Sequence, residues 1–418
     1  MSKKTWVVVL VVVLLLAVLG TVIGFTFSSS NAIDRDLNYK AVQTFPPLSK
    51  FASKLNTMYK EYDNGQLPLT VPMTWDEEEG GYMISISVNG SWIELVFDSG
   101  SSHLSAKGVN CEWKQCDAQG CTVQSCPKTS SFVPRGPQVS LNKKSSTQLE
   151  YGSQKSLVTH HIEPFSLLEL RPNCADFIRA GNFRSVPEFL QQLYSTPVPT
   201  VQFGPTLLYN IFSIEGSTTS NIFGMAQDSE GKKQSVVDAL FPKGSASATP
   251  QVWSVACKPE HALFSLGALR CYGDPKFVPL LQPSAFQKFL TLFYTVKLRD
   301  MYVVNGSQKK RIHSCPKFMV LDTGTTYTYC NKSVGLSLQK AGYIKGTSGV
   351  ELVLGSSVNS LTLKYYAKQL NNAFSTELDD LDDMFNDVSV LLLGVEQMFH
   401  FYFEYNLTEQ MLGICAIP

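Results

Sequence analysis

A repeat constrains this chain more than any other feature. The run Leu95-Val-Phe-Asp-Ser-Gly-Ser-Ser comes back as Met319-Val-Leu-Asp-Thr-Gly-Thr-Thr, each an apolar segment of strand character ending in Asp-[Ser/Thr]-Gly-[Ser/Thr]. Downstream of each copy lie two apolar residues and a glycine, Ile222-Phe223-Gly224 and Leu392-Leu393-Gly394. One copy alone reads as an Asx-type turn, for which Asp, Ser and Gly are favoured. Two copies, each behind a strand and each followed by the same second element, read as a duplicated unit. The rest of the chain agrees with a β duplication. Tyr82 to Phe97 reads as two strands around a turn at Asn89-Gly90, a strong hairpin signal. Beyond it, short apolar runs alternate with Gly, Pro, Asn and Ser, as at 252–257, 293–298, 318–321, 361–365 and 388–393. Helical spacing is confined to residues 174–180, 186–194, 236–241 and 333–341. That distribution predicts a mostly β fold.

A pseudo-twofold relation between two lobes would bring the aspartate turns together, with Asp98 and Asp322 sharing one site. Glycine lets another backbone approach closely, and the neighbouring hydroxyls can fix the carboxylate and its loop. Two carboxylates a few ångströms apart cannot both ionise cheaply, so they hold one proton between them over an acidic to mild pH range. Such a pair supplies base and acid at once. The ionised partner deprotonates a bound water that attacks a peptide carbonyl, while the protonated partner bonds the carbonyl oxygen. This chemistry needs no metal, no cofactor and no covalent intermediate, and its apparent pKa values belong to the pair.

From about Leu69 to Pro418 the chain resembles the pepsin-like aspartic proteases (peptidase family A1). The likeness is carried by the two aspartate motifs, the opening strand Tyr82 to Val88 and the apolar-apolar-glycine elements. It is carried also by Leu391-Leu-Leu-Gly-Val-Glu-Gln-Met-Phe-His-Phe-Tyr-Phe-Glu-Tyr-Asn and by the last strand, Leu412-Gly-Ile-Cys-Ala-Ile. The resemblance implies a bilobal double β-barrel, two pseudo-twofold-related lobes at 73–255 and 256–418 with the active-site cleft between them. It implies an aspartic endopeptidase acting on an extended polypeptide, with Asp98 and Asp322 as the catalytic pair. Ser99 and Thr323 would then lock the two loops together around Gly100 and Gly324, and Ser101 and Thr325 would bond the outer carboxylate oxygens. The family also closes a β-hairpin flap over its substrate. Ser145-Ser-Thr-Gln-Leu-Glu-Tyr-Gly-Ser resembles the approach to it, which makes Tyr151 the flap candidate.

The chain also departs from the family pattern. Ser105 stands where a tryptophan usually meets the flap tyrosine, the flap has Gln154-Lys155 beyond Gly152-Ser153 in place of a second glycine, and an insertion stretches the first lobe over about 169–203. These departures motivate an alternative: a pepsin-like scaffold in the secretory pathway that binds, with weak or no catalysis. A third reading, a membrane-tethered structural glycoprotein, leaves the repeat unexplained.

Export is read from three features. Residues 6–27 carry no charge and follow a short basic start with Lys3 and Lys4. Signal peptides have apolar cores of about 7–15 residues and spanning helices about 20, so the length points to an uncleaved signal-anchor with residues 1–5 in the cytosol. The catalytic region would then face the lumen of the secretory pathway, a lysosome or vacuole, or the cell surface. Ser28 and Ser30 leave cleavage open, which would make the protein secreted. Residues 28–72 read as a stalk or a propeptide, in which Lys50, Lys54 or Lys60 would sit on the dyad. The cysteines, Cys111, Cys116, Cys121, Cys126, Cys174, Cys257, Cys271, Cys315, Cys330 and Cys415, are even in number and favour disulfides over zinc. Their pairing stays open, with local clips such as 111–116 among the possibilities. Glycosylation sequons at Asn89, Asn305, Asn331 and Asn406 point the same way.

Composition removes other classes. The 35 Lys+Arg balance the 35 Asp+Glu, so no basic surface for nucleic acid is expected. Apolar residues at 44% against charged residues at 17% exclude a disordered chain. A monomer is expected. His103 reads as a subsite or surface residue, and His160-His161 as a strand or loop pair with no third metal ligand at suitable spacing. Asp379, Asp380, Asp382 and Asp383 lack the glycine and glutamate of a calcium loop and read as a solvated turn.

Overall fold

The computed structural model describes residues 69–418 apart from 78, 118–119, 127–130, 141–143, 152–153, 169–199, 216–220, 228–234, 243–249, 260, 270–274, 282–292, 371–372, 376–387, 400 and 417–418. The apolar segment 6–27, the stalk or propeptide lysines, Cys174, Cys271, the helical patches 174–180 and 186–194 and the acidic cluster lie outside the described residues. Among the described residues no helix is long and apolar enough to cross a membrane.

The first lobe grows from the hairpin that its turn residues announce. Gly81–Val88 and Ser91–Asp98 pair antiparallel from Met83↔Val96 to Val88↔Ser91. Asn89 and Gly90 adopt φ of 54° and 79°, the left-handed pair that lets a two-residue loop follow the twist of its strands. Along Gly81–Val88 burial alternates, placing Ile84, Ile86 and Val88 inside and Ser85 and Ser87 outward. Ser91–Asp98 then runs parallel to Ile222–Gly224, which pairs with Leu104–Asp117. Pairing continues through Thr200–Glu215 and Gln154–Leu168 and returns to Gly81–Val88. These strands close into a barrel, and closure removes free sheet edges.

The second lobe repeats the local plan. Phe318–Leu321 runs parallel to Val390–Leu393 and antiparallel to Tyr294–Asn305, as Ser91–Asp98 does with Ile222–Gly224 and Gly81–Val88. Its seven-stranded sheet runs from Tyr329–Cys330 to Ser360–Tyr365 without returning on itself. The helices Val236–Leu240 and Lys332–Lys340 stand where helical spacing placed them. Ser235 caps the first through a reciprocal bond with Asp238.

An antiparallel sheet joins the lobes, in the order Leu69–Asp76, His261–Leu266, Val252–Lys258, Phe401–Asn406, Met411–Ala416 and Lys276–Pro279. The lobe boundary expected at 255/256 falls inside Val252–Lys258, and the start expected at 73 falls inside Leu69–Asp76. One face of this sheet sends Met73, Val255, Phe264, Phe403 and Ile414 into the main core. The architecture is the mostly β, two-lobed one that the repeat implies.

Candidate active site

Both aspartates stand where a central strand ends: Asp98 closes Ser91–Asp98 and Asp322 follows Phe318–Leu321. The parallel neighbour fastens each turn. Met225 N donates to Asp98 O at 2.7 Å and Ala226 N to Ser101 O at 2.8 Å, while Val395 N donates to Thr325 O at 2.7 Å. A β-carbon on Gly224 would strike the backbone of Ser101 and His103, and one on Gly394 would strike that of Thr325 and Tyr327. The recurrence of the apolar-apolar-glycine element therefore has a physical cause: only glycine lets the two backbones meet.

The two turns are clasped to each other. Ser99 N donates to Thr323 Oγ1 at 2.9 Å, and Thr323 N donates to Ser99 Oγ at 3.0 Å. Each hydroxyl then donates onward into the opposite lobe, Ser99 Oγ to Leu321 O at 3.1 Å and Thr323 Oγ1 to Phe97 O at 2.8 Å. This leaves each carboxylate against the glycine of the other turn, because a β-carbon on Gly100 would overlap the Asp322 carboxylate and one on Gly324 that of Asp98. Gly100 N donates to Asp98 Oδ1 at 2.8 Å and Gly324 N to Asp322 Oδ1 at 2.9 Å. Asp98 is 0% and Asp322 2% exposed. Burial raises both carboxyl pKa values above the ordinary carboxylate range, and the charge of Asp322 pushes Asp98 further up.

The outer oxygens differ. Thr325 Oγ1 donates to Asp322 Oδ2 at 2.5 Å, as the resemblance implies. At the first turn the support is weaker: Ser101 Oγ and Asp98 Oδ2 are both buried, and no hydrogen bond of full geometry reaches either. The Ser101 hydroxyl nonetheless lies near enough to Asp98 to favour its charged form, the direction the resemblance implies. Beneath the first turn Tyr294 OH donates to Met225 O at 2.6 Å and accepts from Trp253 Nε1 at 3.2 Å. Trp253 stacks on Tyr405 with ring centroids 3.8 Å apart. Sequence reasoning missed this support, since nothing local marks a tyrosine at the head of a strand as a buttress for a turn in the other lobe.

The remaining candidates scatter. Tyr151 ends the strand Ser146–Tyr151 and pairs with Gln154 across a hairpin; the position of its side chain lies outside the described residues. His103 is not a surface residue: it is 5% exposed and packs against Tyr209 at 4.9 Å. His160 and His161 lie in the strand Gln154–Leu168, and among the described residues no three His, Cys, Asp or Glu side chains gather to hold a metal. Ser105 is fully buried.

The cysteines pair as Cys111–Cys126 and Cys116–Cys121, so a 111–116 clip is not formed. The reason is a hairpin register in which Leu104–Asp117 pairs with Gly120–Ser125 and sets Cys116 opposite Cys121. Cys415 is disulfide-bonded. Cys257, Cys315 and Cys330 carry free thiols, which corrects the expectation of disulfides for them. Burial pushes Cys315 up to about 11 and Cys330 up to about 12, keeping both protonated and unreactive. Of the sequon asparagines, Asn331 is 5% exposed and accepts from Val390 N at 3.1 Å, so its side chain is unavailable to a glycan in the folded chain. Asn305 is exposed, and Asn89 and Asn406 are half-buried.

No protein-family model matches the sequence, and no curated protein does. Among solved structures, the aspartic proteinase from Irpex lacteus matches with a TM-score of 0.54 at 16% identity, over 83% of this chain and 97% of that chain. At that identity the likeness speaks for the fold, which is the bilobal pepsin-like one.

Proposed function

We propose that this chain is an aspartic endopeptidase that hydrolyses peptide bonds in an extended polypeptide, with Asp98 and Asp322 as its catalytic pair. The observation that carries this reading is the clasp: two buried carboxylates, each packed on the glycine of the other's turn, held by four hydrogen bonds between lobes. A duplicated structural turn has no use for burying two carboxylates against each other, because burial and mutual charge both oppose ionisation.

The mechanism follows from one shared proton. A water between the carboxylates gives a proton to the ionised partner as its oxygen attacks the scissile carbonyl carbon. The protonated partner gives its proton to the carbonyl oxygen, forming a neutral tetrahedral gem-diol. In the second step one gem-diol hydroxyl returns its proton to a carboxylate, the C–N bond breaks, and the leaving nitrogen takes the proton held by the other carboxylate. The dyad ends singly protonated, as it began. Turnover therefore falls at low pH, where both carboxyls are protonated, and at higher pH, where both ionise. The hairpin of Ser146–Tyr151 and Gln154–Leu168 is the flap in this reading, with Tyr151 over the substrate.

The test is cleavage of an unfolded protein between pH 3 and 7 by the full chain, compared with Asp98→Asn and Asp322→Asn and with a statine-type inhibitor. We expect acid-range cleavage that the inhibitor blocks and that either substitution lowers by at least about a thousandfold. Folded protein with intact disulfides and no cleavage across that range would replace this reading with the binding scaffold that Ser105 in place of the usual tryptophan motivates.

A further inference from the structure

A line of side chains leads from the first aspartate turn to the hairpin. In register, Ile222 faces Ser105, Ser105 faces Tyr209 and Tyr209 faces His160, a single row across four strands. His103 is the diagonal neighbour of Tyr209, a separation aromatic side chains can span across strands, and the small Ser105 side chain leaves the way open. The Tyr209 ring is held between two imidazoles. His103 lies 4.9 Å away at 61° and His160 5.2 Å away at 87°, both edge-to-face. His160 Nε2 is 2.8 Å from Thr147 Oγ1, on the outer strand of the hairpin.

The ends of the line are fixed. His103 O accepts from Gly224 N at 3.0 Å, inside the same backbone clasp that holds Asp98 and Ser101. At the other end Thr147 lies in Ser146–Tyr151, whose last residue is the flap candidate. Around the row the packing is aliphatic: Leu149, Val158, Leu207, Ile211 and Ile214 share one small core with Tyr209. An aliphatic side chain at 160 would pack there without needing a polar partner, so the histidine's distinctive contribution is directional. It ties Thr147 to a ring that is itself set by the aspartate turn.

We propose that His103, Tyr209, His160 and Thr147 form a brace that fixes the position of the hairpin relative to the Asp98 turn, making His160 and Thr147 positioning residues for a polypeptide bound between them. The substrate part of this statement rests on the protease reading; the brace itself does not. The test is hydrogen–deuterium exchange of the backbone amides of residues 146–160 in the full chain, in wild type, Thr147→Val, Thr147→Ser and His160→Phe. Loss of one hydrogen bond should raise exchange in the Ser146–Tyr151 strand about fivefold in Thr147→Val and in His160→Phe. Thr147→Ser keeps the hydroxyl and should exchange as wild type does. In peptide cleavage the same two variants should raise KM about fivefold while kcat stays within about twofold.

Unchanged hairpin exchange in Thr147→Val overturns the proposal, as does a Thr147→Ser variant that behaves like Thr147→Val, since packing of the methyl group would then explain the effect. A wild-type chain that cleaves nothing but shows the expected exchange pattern removes the protease reading and leaves the brace standing.

Discussion

The two aspartate turns are near copies in sequence and unequal in surroundings. Both end a strand, both place the carboxylate on a backbone N–H two residues on, and both pack it on the opposite glycine. They part at the fourth residue. Thr325 donates to the outer oxygen of Asp322, whereas the outer oxygen of Asp98 and the Ser101 hydroxyl are buried without such a bond. A donor on a carboxylate oxygen favours the ionised form. Burial raises both carboxyls and their mutual charge adds to it, while the Thr325 hydroxyl favours the ionised form of Asp322 against that push. Duplication thus supplies the skeleton of a symmetric site, and the Thr325 hydrogen bond makes its two halves unequal.

The largest expected effect tests what the turns share. Gly324→Ala drives a β-carbon into the Asp98 carboxylate, and Gly100→Ala does the same to Asp322. Neither carboxylate can swing away without breaking its bond to a backbone N–H, so kcat/KM should fall about a hundredfold or more in each. A tolerated alanine at either position would show that the carboxylates are not held as close as the clasp requires. A smaller effect tests what the turns do not share. Thr325→Val removes the donor that favours ionised Asp322, so the acid limb of the pH profile should move upward and kcat/KM at its acid end should drop about tenfold. Ser101→Ala removes the weaker contact and should move that limb less; equal shifts would erase the asymmetry.

The smallest effect is on stability. Both carboxyls have folded-state pKa values above those of the unfolded chain, so the folded state keeps a proton that the unfolded state has lost. Their contribution is complete below the unfolded value of about 4 and disappears as pH rises through the folded values. Calorimetry should find Tm lower by a few degrees at pH 7 than at pH 4. Asp98→Asn and Asp322→Asn, neutral throughout, should each flatten that slope.

What the sequence made legible was local. Asn89-Gly90 reports its own hairpin because a two-residue loop demands left-handed backbone, and Gly224 and Gly394 report a close approach because no other residue permits it. The evenly spaced Cys111, Cys116, Cys121 and Cys126 were not legible. Their spacing suits several pairings, and the choice is made by the register of Leu104–Asp117 against Gly120–Ser125, in a stretch without alternating apolar residues. The buttress of Tyr294, Trp253 and Tyr405 was hidden for a different reason: its members come from separate strands and meet only after the lobes join. The weaker support at Ser101 was hidden because Ser and Thr carry the same hydroxyl, and how well each bonds its aspartate is decided by side-chain geometry.

The sheet that joins the lobes also sets a timetable. Leu69–Asp76, the first described strand, finds its partner in His261–Leu266, and Val252–Lys258 finds one of its two neighbours in Phe401–Asn406. Ser99 and Thr323, which clasp the site, are 224 residues apart. On a ribosome the first aspartate turn is made long before the second, and the sheet beneath them stays incomplete until Met411–Ala416 emerges. Contacts of such long sequence separation form slowly and late. A chain cut short anywhere before the strands at 401–416 would therefore carry Asp98 in place with no competent partner, so the paired carboxylate site comes into being only after those strands have been made.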